Sequence, residues 1–563
     1  MSPSSRPLTD LQVLLLAILS LLIPVAWIEL SVLRATHGTI AYPLDDTFIH
    51  MTVARNLAFD HYWGIAGHVF ASTSSSPFYT VLLAGLFKIF GVHLILPLLI
   101  NLLAGIAVLI VMHRWLKRQG LSAAARLTIL LFVNFLTPLP LLVISGMEHT
   151  FQLLFTFLFV FTFAGIAGRP ADSTGRPADS TGRPADATGR PADVTGLRTG
   201  AGSLPWTLYL LGPLMISTRY ECLPILGLVC LILLVRRQWT PAILLGAVSI
   251  LPITLFGLYA MSKGSYFMPN SVLLKAALPH SLGGWARFAA DDIWFKIFFS
   301  PRDYNFLAAQ RLLLVLPLTY LVFLRQIRDQ PAYKYVLLIL MGATLAHVAF
   351  AYPANFPRYE DYLVGCSVVI MGTLLAKYRR DLRLSPFKGA EWIVAAVLIL
   401  LFIPFFIRTE KVFQKSKQYC LNIYEQQYQL SQFVHRYYDS IPVAFNDIGA
   451  ISFFSKGDKL DLWGLASLEV AKAKQKHYWT PDFADSLIHR HQTRLAILYD
   501  TWFDPALLHR WTKVASWHNQ HNVVLGDDSV SFYAIRPQDT TKLRENLRAW
   551  QPQLPKDVRV SYY

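Results

Sequence analysis

Apolar residues in this chain fall in runs of about 17–23, the length that crosses a bilayer, and the runs stop near residue 407. The first extends from Leu11 to about Leu33. It is long and lacks a small-residue cleavage site, so it predicts a retained helix rather than a cleaved signal. Residues Pro77 to Phe90 are apolar but only about 14 long, which predicts an interfacial or re-entrant helix. Further spans are predicted at about Leu94–Met112, Leu127–Ile144, Phe151–Ile166 and Leu204–Ser217. A sixth ends at Arg236-Arg237, and the rest are at about Ile243–Met261, Leu307–Leu324, Tyr335–Ala351, Leu363–Leu375 and Trp392–Ile407.

Charge at the ends of the runs sets their direction. His113-Arg-Trp-Leu-Lys-Arg118, Arg236-Arg237, Arg325-Gln-Ile-Arg328 and Lys377-Tyr-Arg-Arg380 each close a run, and basic loops stay in the cytoplasm. Putting all of them inside requires Pro77–Phe90 not to span. The prediction is then eleven transmembrane helices, with the N-terminus inside and the C-terminus outside. Asp45 and Asp46 fall in the first outer loop, residues 34–91.

Two stretches break the pattern. In the insert of residues 168–200 the heptad Gly168-Arg-Pro-Ala-Asp-Ser-Thr174 occurs four times with slight drift, to Thr195. Its Pro, Gly and balanced Arg/Asp content cannot build a core, and four seven-residue units are too short for a solenoid. This predicts a disordered cytoplasmic insert in a membrane domain of residues 1–407. Residues 408–563 are polar and read as a separate extracytoplasmic α/β domain. Pro442–Phe445 and Arg494–Tyr499 predict buried strands. Val523–Leu525 and Val530–Ile535, around Gly526-Asp-Asp-Ser, predict a hairpin, and Gln426–Tyr437 and Pro481–His491 predict helices.

Composition supports a polytopic membrane protein: 54% of residues are hydrophobic and 15% charged, against roughly 25% charged in soluble domains. The net charge of +16 is spread over loops, with no basic patch interleaved with aromatics, so nucleic acid is not a predicted partner. Of four cysteines, Cys222, Cys230 and Cys366 lie in or beside apolar runs and Cys420 in the tail, which gives no disulfide framework.

With this topology the unusual polar residues gather on the outer side. Asp45 and Asp46 follow span one, Glu148 closes span three, and Arg219 and Glu221 close span five. Lys275 follows span seven and Arg358 ends span nine. Any one of them suits the headgroup zone. Together, carboxylates and cations around a cavity suit an anionic substrate and a proton acceptor. His50, in the stretch after Asp46, and Tyr359, beside Arg358, complete the candidate substrate-binding set. Asp45, Asp46 and Glu148 are also candidates for a divalent cation, although their spacing follows no regular oxygen-ligand pattern. Trp463, Trp479, Trp502, Trp511 and Trp517 in the tail read as scattered core aromatics.

The runs Pro43-Leu-Asp-Asp-Thr-Phe-Ile49, Ala54-Arg-Asn-Leu57 and Ser74-Ser-Ser-Pro77 resemble the first outer loop of bacterial GT-C glycosyltransferases of the DDxFI type. Gly146-Met-Glu148, Thr218-Arg-Tyr-Glu221, Pro269-Asn-Ser with Lys275, and Arg358-Tyr359 resemble later outer-face motifs of that group. So do Asn446-Asp-Ile-Gly-Ala450 and Asp461-Leu-Trp-Gly-Leu465 in the tail. The likeness covers nearly the whole chain outside the heptad insert. Tyr220 and Cys222 depart from the Pro and Gly of many such enzymes, and His149 from a small residue.

The resemblance implies a GT-C-like membrane domain and an inverting transferase. Such an enzyme takes a sugar from a polyprenyl-phosphate carrier and passes it to a glycan, lipid or protein acceptor at the outer face of the bacterial inner membrane. It also implies that an Asp of the first outer loop is the base and that basic residues, here Arg219, Lys275 and Arg358, hold the lipid phosphate. Adjacent residues cannot face the same way, so one of Asp45 and Asp46 is expected in the cavity as base and the other as an orienting group. Asp46, which opens the amphipathic stretch, is favoured as base. No nucleotide-sugar fold is required, and the one cofactor candidate is the divalent cation named above. The alternatives are a flippase or transporter for lipid-linked glycans, which would show an inverted repeat with midplane charges, an outer-face scaffold, and an oligosaccharide ligase that transfers a whole chain.

Overall fold

The computed structural model describes residues 8–65, 69–168, 204–273, 304–350, 356–378 and 390–563. Lys275 lies outside them, as does the heptad insert from residue 169 on. The first part of the chain is a helix bundle. It comprises α1 (Asp10–Ala35), α2 (Asp46–Phe59), α3 (Pro77–Phe90), α4 (Leu96–Arg118), α5 (Ala123–Leu136), α6 (Leu139–Ile144), α7 (His149–Ala167), α8 (Trp206–Thr218), α9 (Leu223–Val235), α10 (Trp239–Ser262) and α11 (Asn270–Leu273). The helices Tyr304–Val322, Pro331–Phe350, Asp361–Tyr378 and Ala390–Ile423 follow.

Among the described residues six helices are long and apolar enough to cross a membrane: α1, α4, α7, α10, Pro331–Phe350 and Asp361–Tyr378. The protein is a multi-pass membrane protein. A helix occupies each of the eleven predicted stretches, but the count of eleven spans does not carry over. α5, α8 and α9 have 14, 13 and 13 residues, about 20 Å at 1.5 Å per residue, short of a hydrocarbon core of about 30 Å. The predicted third span is interrupted between α5 and α6, where Pro138 and Pro140 cannot continue the ladder. In α1, Val13, Ala17, Leu21, Ile28 and Val32 pack inward while Leu15, Leu19, Ile23, Trp27 and Leu30 stay exposed, as lipid contact requires.

One end of the bundle collects the basic run ends. Asp10 at the start of α1 pairs with Lys117 at 2.5 Å and Arg126 at 2.6 Å. Tyr333 donates to Gln119 at 2.7 Å and receives Lys377 at 2.9 Å. Gly168, where the insert begins, lies against Ala332 at this same end. The first-loop helices α2 and α3 pack on each other.

The helix Ala390–Ile423 continues through residue 407, where the apolar run stops, and leads by a π-turn into the helix Gln429–Tyr438. A six-stranded mixed sheet follows, in the order β2 (Lys459–Asp461), β1 (Val443–Phe445), β3 (Leu495–Leu498), β5 (Ser529–Ala534), β4 (Thr512–Asn519), β6 (Val558–Tyr562). β1 runs parallel to β2 and β3, and the remaining pairings are antiparallel. Alternation sorts the strands onto two faces. Val443, Phe445, Leu495 and Ile497 join Phe433, Trp517 and Phe532 on one side. Ala444, Ala496 and Leu498 join Leu487 and Tyr533 on the other.

The partner of β5 in its hairpin is β4, not Val523–Leu525. Asn522 Oδ1 accepts the backbone N–H groups of both Val524 and Leu525, and Asn422 accepts that of Val523. These donors are therefore unavailable to a strand ladder, and Leu525 packs on the helical bundle instead.

Candidate functional site

The loop after α1 carries two carboxylates that go to different partners. Asp45 Oδ2 accepts the N–H of Gly449 at 2.6 Å and Oδ1 that of Ala450 at 2.8 Å, both in the tail. Gly449 must be glycine, because a Cβ there would lie 2.1 Å from the Asp45 carbonyl oxygen. Burial, reinforced by Asp447, pushes the Asp45 acid well above the usual range, against the two N–H groups that lower it. Next along the chain, Asp46 pairs with Arg358 at 2.9 Å and faces a cavity.

The α2 helix is pinned on both sides. Thr47 donates to the Ser145 carbonyl at 2.6 Å, and Arg55 donates to the Phe453 carbonyl at 2.6 Å in the tail. Phe48 packs on Phe453 and Phe454. The Ser145–Glu148 turn is held in turn by Tyr79, whose hydroxyl donates to Gly146 O at 2.6 Å. Gly146 has φ +62°, and the Tyr42 ring leaves no room for a side chain there.

This turn delivers Glu148, fully buried, to Arg219. Arg219 Nη1 reaches Glu148 at 2.8 Å and Ser75 Oγ at 2.8 Å, while Nε and Nη2 fork onto Glu221 at 3.0 and 2.5 Å. His50 Nε2 approaches the other Glu148 oxygen at 3.3 Å, and its Nδ1 meets Ser74 at 3.2 Å. Burial alone would raise the Glu148 acid, but His50 and Arg219 outweigh it and bring it down to about 2. Burial pushes the His50 imidazole below its usual range despite Glu148.

Both arginines lie over the ring of Tyr359. The Arg219 guanidinium lies 4.9 Å from its ring centre and that of Arg358 4.8 Å. Arg358 also donates to Met147 Sδ at 3.1 Å, and among the described residues its buried Nε has no hydrogen-bond partner. The two arginines thus converge as expected for an anion clamp, but each already holds carboxylates. Arg219 serves Glu148 and Glu221, and Arg358 serves Asp46. The expected trio of open cations is replaced by an ion-pair network; Lys275, its third member, lies outside the described residues.

The cavity of about 310 Å³ is walled by Asp46, His50, Arg219, Glu221 and Tyr359 at its polar end. Leu223, Met268, Val272 and Phe350 make an apolar flank. Leu465 of the tail completes the wall. Its loop is tied by Asp461, whose carboxylate accepts the N–H groups of Trp463, Gly464 and Ala466 at 2.7, 3.1 and 2.7 Å. The Leu465 carbonyl receives Asn270 Nδ2 at 3.4 Å.

Asp45, Asp46 and Glu148 do not surround one ion, because Asp45 is turned to Gly449 and Glu148 to Arg219. Among the described residues no group of three or more His, Cys, Asp or Glu is placed to hold a metal. The tail tryptophans are not uniformly core. Trp511 and Trp517 are buried, but Trp463 packs on half-buried Trp502 at 4.5 Å and takes Lys474 over its ring at 3.9 Å.

Ser75, Met147 and Leu465 lie within motifs of the resemblance but are not singled out as site residues by sequence, and His347 carries no signal without the fold. Sequence reading also missed Arg408, fully buried between Glu360 at 2.7 Å and Asp361. There the available signal is a basic residue placed directly at the end of the last apolar run.

A family profile for a domain of unknown function (DUF8728) matches residues 421–533 of the tail. No curated protein matches the chain. Among solved structures, ArnT from Cupriavidus metallidurans bound to undecaprenyl phosphate is similar with a TM-score of 0.50 at 10% identity, over 92% of this chain and 98% of that one. The same protein in the apo state aligns with a TM-score of 0.48 at 11% identity over the same shares. The chain has the fold of the GT-C glycosyltransferase ArnT.

Proposed function

We propose that this protein is an inverting glycosyltransferase that takes a sugar from a polyprenyl-phosphate carrier and transfers it to an acceptor at the outer face of the bacterial inner membrane. The observation that carries this reading is the cavity in an ArnT-like fold: Asp46 and the Arg358–Tyr359–Arg219 cluster at one end, apolar walls beside them, and a tail loop over it. Residues 408–563 form the extracytoplasmic domain, residues 1–407 the membrane domain, and the basic end of the bundle faces the cytoplasm.

In this mechanism Asp46 accepts the proton of the acceptor hydroxyl as its oxygen bonds to the anomeric carbon. The bond from that carbon to the phosphate oxygen breaks, and the carrier phosphate leaves with the electron pair. Its growing charge is met by Arg358, whose buried Nε is an unpaired donor among the described residues, and by Arg219. A planar guanidinium shared between carboxylate and phosphate suits this step better than an ammonium. Asp45 does not react; it fixes Asp46 by tying the loop to Gly449 and Ala450. Glu148 and Glu221 set the pose of Arg219, and His50 that of Glu148. Lys275 is retained as a third phosphate ligand.

A cavity near 310 Å³ is at the small end of ligand pockets, about 300–1,000 Å³. That favours transfer of one sugar over ligation of a long chain. The test is mass spectrometry of envelope glycans from cells with the protein, without it, and with Asp46→Asn. Loss of one sugar increment in both deficient strains is the expected result. An unchanged glycan profile in the absence of the protein refutes the reading.

A further inference from the structure

Among the described residues, four polar atoms around the cavity are buried and without a hydrogen-bond partner: Thr73 Oγ1, Tyr220 Oη, Ser271 Oγ and His347 Nδ1. Their residues are 5, 7, 8 and 6% exposed. They come from four separate segments: the loop before α3, the turn after α8, α11, and the last turns of Pro331–Phe350. A buried polar group left unpaired is costly, and native chains leave few of them. Four lining one cavity call for a ligand that pairs with them.

The chemistry of the four specifies that ligand. Three are hydroxyls, which donate and accept, and the fourth is an imidazole nitrogen that does either according to tautomer. A sugar hydroxyl has the same double capacity. The carboxylates nearby already hold cations: Glu221 receives the fork of Arg219, and Asp46 receives Arg358. A carboxylate on the sugar would meet a network already net negative by one, and an ammonium would compete with Arg219 and Arg358 for Glu221 and Asp46. We propose that this cavity holds a subsite for a neutral, hydroxyl-rich sugar on the donor, read by Tyr220, His347, Thr73 and Ser271. This rests on the lipid-linked transferase reading and adds to it the class of sugar and the residues that select it.

The test uses the full-length protein in nanodiscs and measures binding of undecaprenyl phosphate alone. The comparison is the same lipid carrying a neutral hexose (glucosyl, galactosyl and mannosyl forms), an amino sugar or a uronic acid. The variants are Tyr220→Phe and Ser271→Ala, each of which removes an oxygen that has no partner among the described residues. Melting temperature should therefore not fall in either variant, and affinity for the sugarless lipid should match the wild type. Affinity for at least one hexosyl lipid should drop about threefold to tenfold, the equivalent of one hydrogen bond. The proposal is overturned if the wild type binds hexosyl lipids no better than sugarless lipid, if it prefers a charged sugar, or if the variants lose both lipids equally. Failure of the wild type to bind even the sugarless lipid removes the transferase reading itself, and the subsite with it.

Discussion

Replacing Asp45 by Asn separates the docking carboxylate from the reacting one. The Asp45 carboxylate accepts two backbone N–H groups of the tail, at 2.6 and 2.8 Å. Asparagine offers one carbonyl oxygen and one NH₂, so one of the two N–H groups meets another donor. Losing a hydrogen bond to a charged acceptor costs about 1.5–3 kcal/mol, and the surviving bond, now to a neutral oxygen, weakens by about 1 kcal/mol. Against this, an amide avoids the desolvation that pushes the Asp45 acid upward. The net loss is about 2–3 kcal/mol, or a 30- to 150-fold shift in the docking equilibrium at about 1.4 kcal/mol per tenfold.

Amide exchange across Gly449–Phe454, read by mass spectrometry on the intact protein, should speed up by that factor in Asp45→Asn. Sugar transfer should fall with it, because the same loop sets Asp46. Asp46→Asn should leave this exchange at the wild-type rate and lower transfer by about 10²–10⁴, the usual loss of a general base. If Asp45→Asn keeps wild-type exchange and transfer, the latch is not a functional contact. If Asp46→Asn transfers at the wild-type rate while Asp45→Asn does not, the two roles are reversed.

The Glu148 acid, at about 2 against its usual 4.5, is a depressed carboxylate, so its stabilisation is present above pH 4.5 and is lost as pH falls through 2. At 1.36 kcal/mol per pH unit that is about 3 kcal/mol, and an acid-denaturation series should show this pH dependence flattened in Glu148→Gln. Arg408→Ala leaves the buried Glu360 and Asp361 carboxyls without their cation, and burial then drives them to take up protons. It should cost about 3–5 kcal/mol in thermal or denaturant unfolding, and a shift under 1 kcal/mol would mean water reaches that cluster. Deleting residues 169–200 should leave expression and transfer near wild type, since that composition cannot pack; loss of transfer would give the insert a role.

What was legible in the sequence divides by the range of the interaction that carries it. Span existence is local: a run of apolar residues with a basic end needs no partner to be recognised, and helices occupy the predicted stretches. Span count is not, because α8 and α9 are too short alone and depend on neighbours to stay covered. The divergence of Asp45 from Asp46 follows from the backbone, since neighbouring side chains cannot share a direction. Which acid takes which partner does not follow, because Gly449 and Arg358 are hundreds of residues away. The same limit explains the hairpin: Val523–Leu525 has strand propensity, but Asn522 and Asn422 claim its N–H groups, and only the folded chain brings Asn422 there.

The anion clamp shows the limit most clearly. Arg219 and Arg358 were identified as cations on one side of the membrane, and they do converge on Tyr359. Sequence counts charges but not their pairing, and pairing changes the chemistry. Asp46, Glu148 and Glu221 carry three negative charges against the two arginines, so with neutral His50 the network is net negative by one. A lipid phosphate entering it must draw an arginine from a carboxylate or arrive as a proton is taken up. Arg358 is the one placed to be shared: among the described residues it holds a single carboxylate, Asp46, and keeps a buried Nε donor without a partner. Its transfer toward phosphate would loosen its hold on Asp46 and raise the basicity of that carboxylate as the donor settles. Arg358→Lys supplies the charge but not the planar fork that can hold a carboxylate and a phosphate at once. It should therefore reduce transfer more than it reduces binding of the carrier, whereas equal losses in both would reduce Arg358 to a phosphate anchor with no hold on the base.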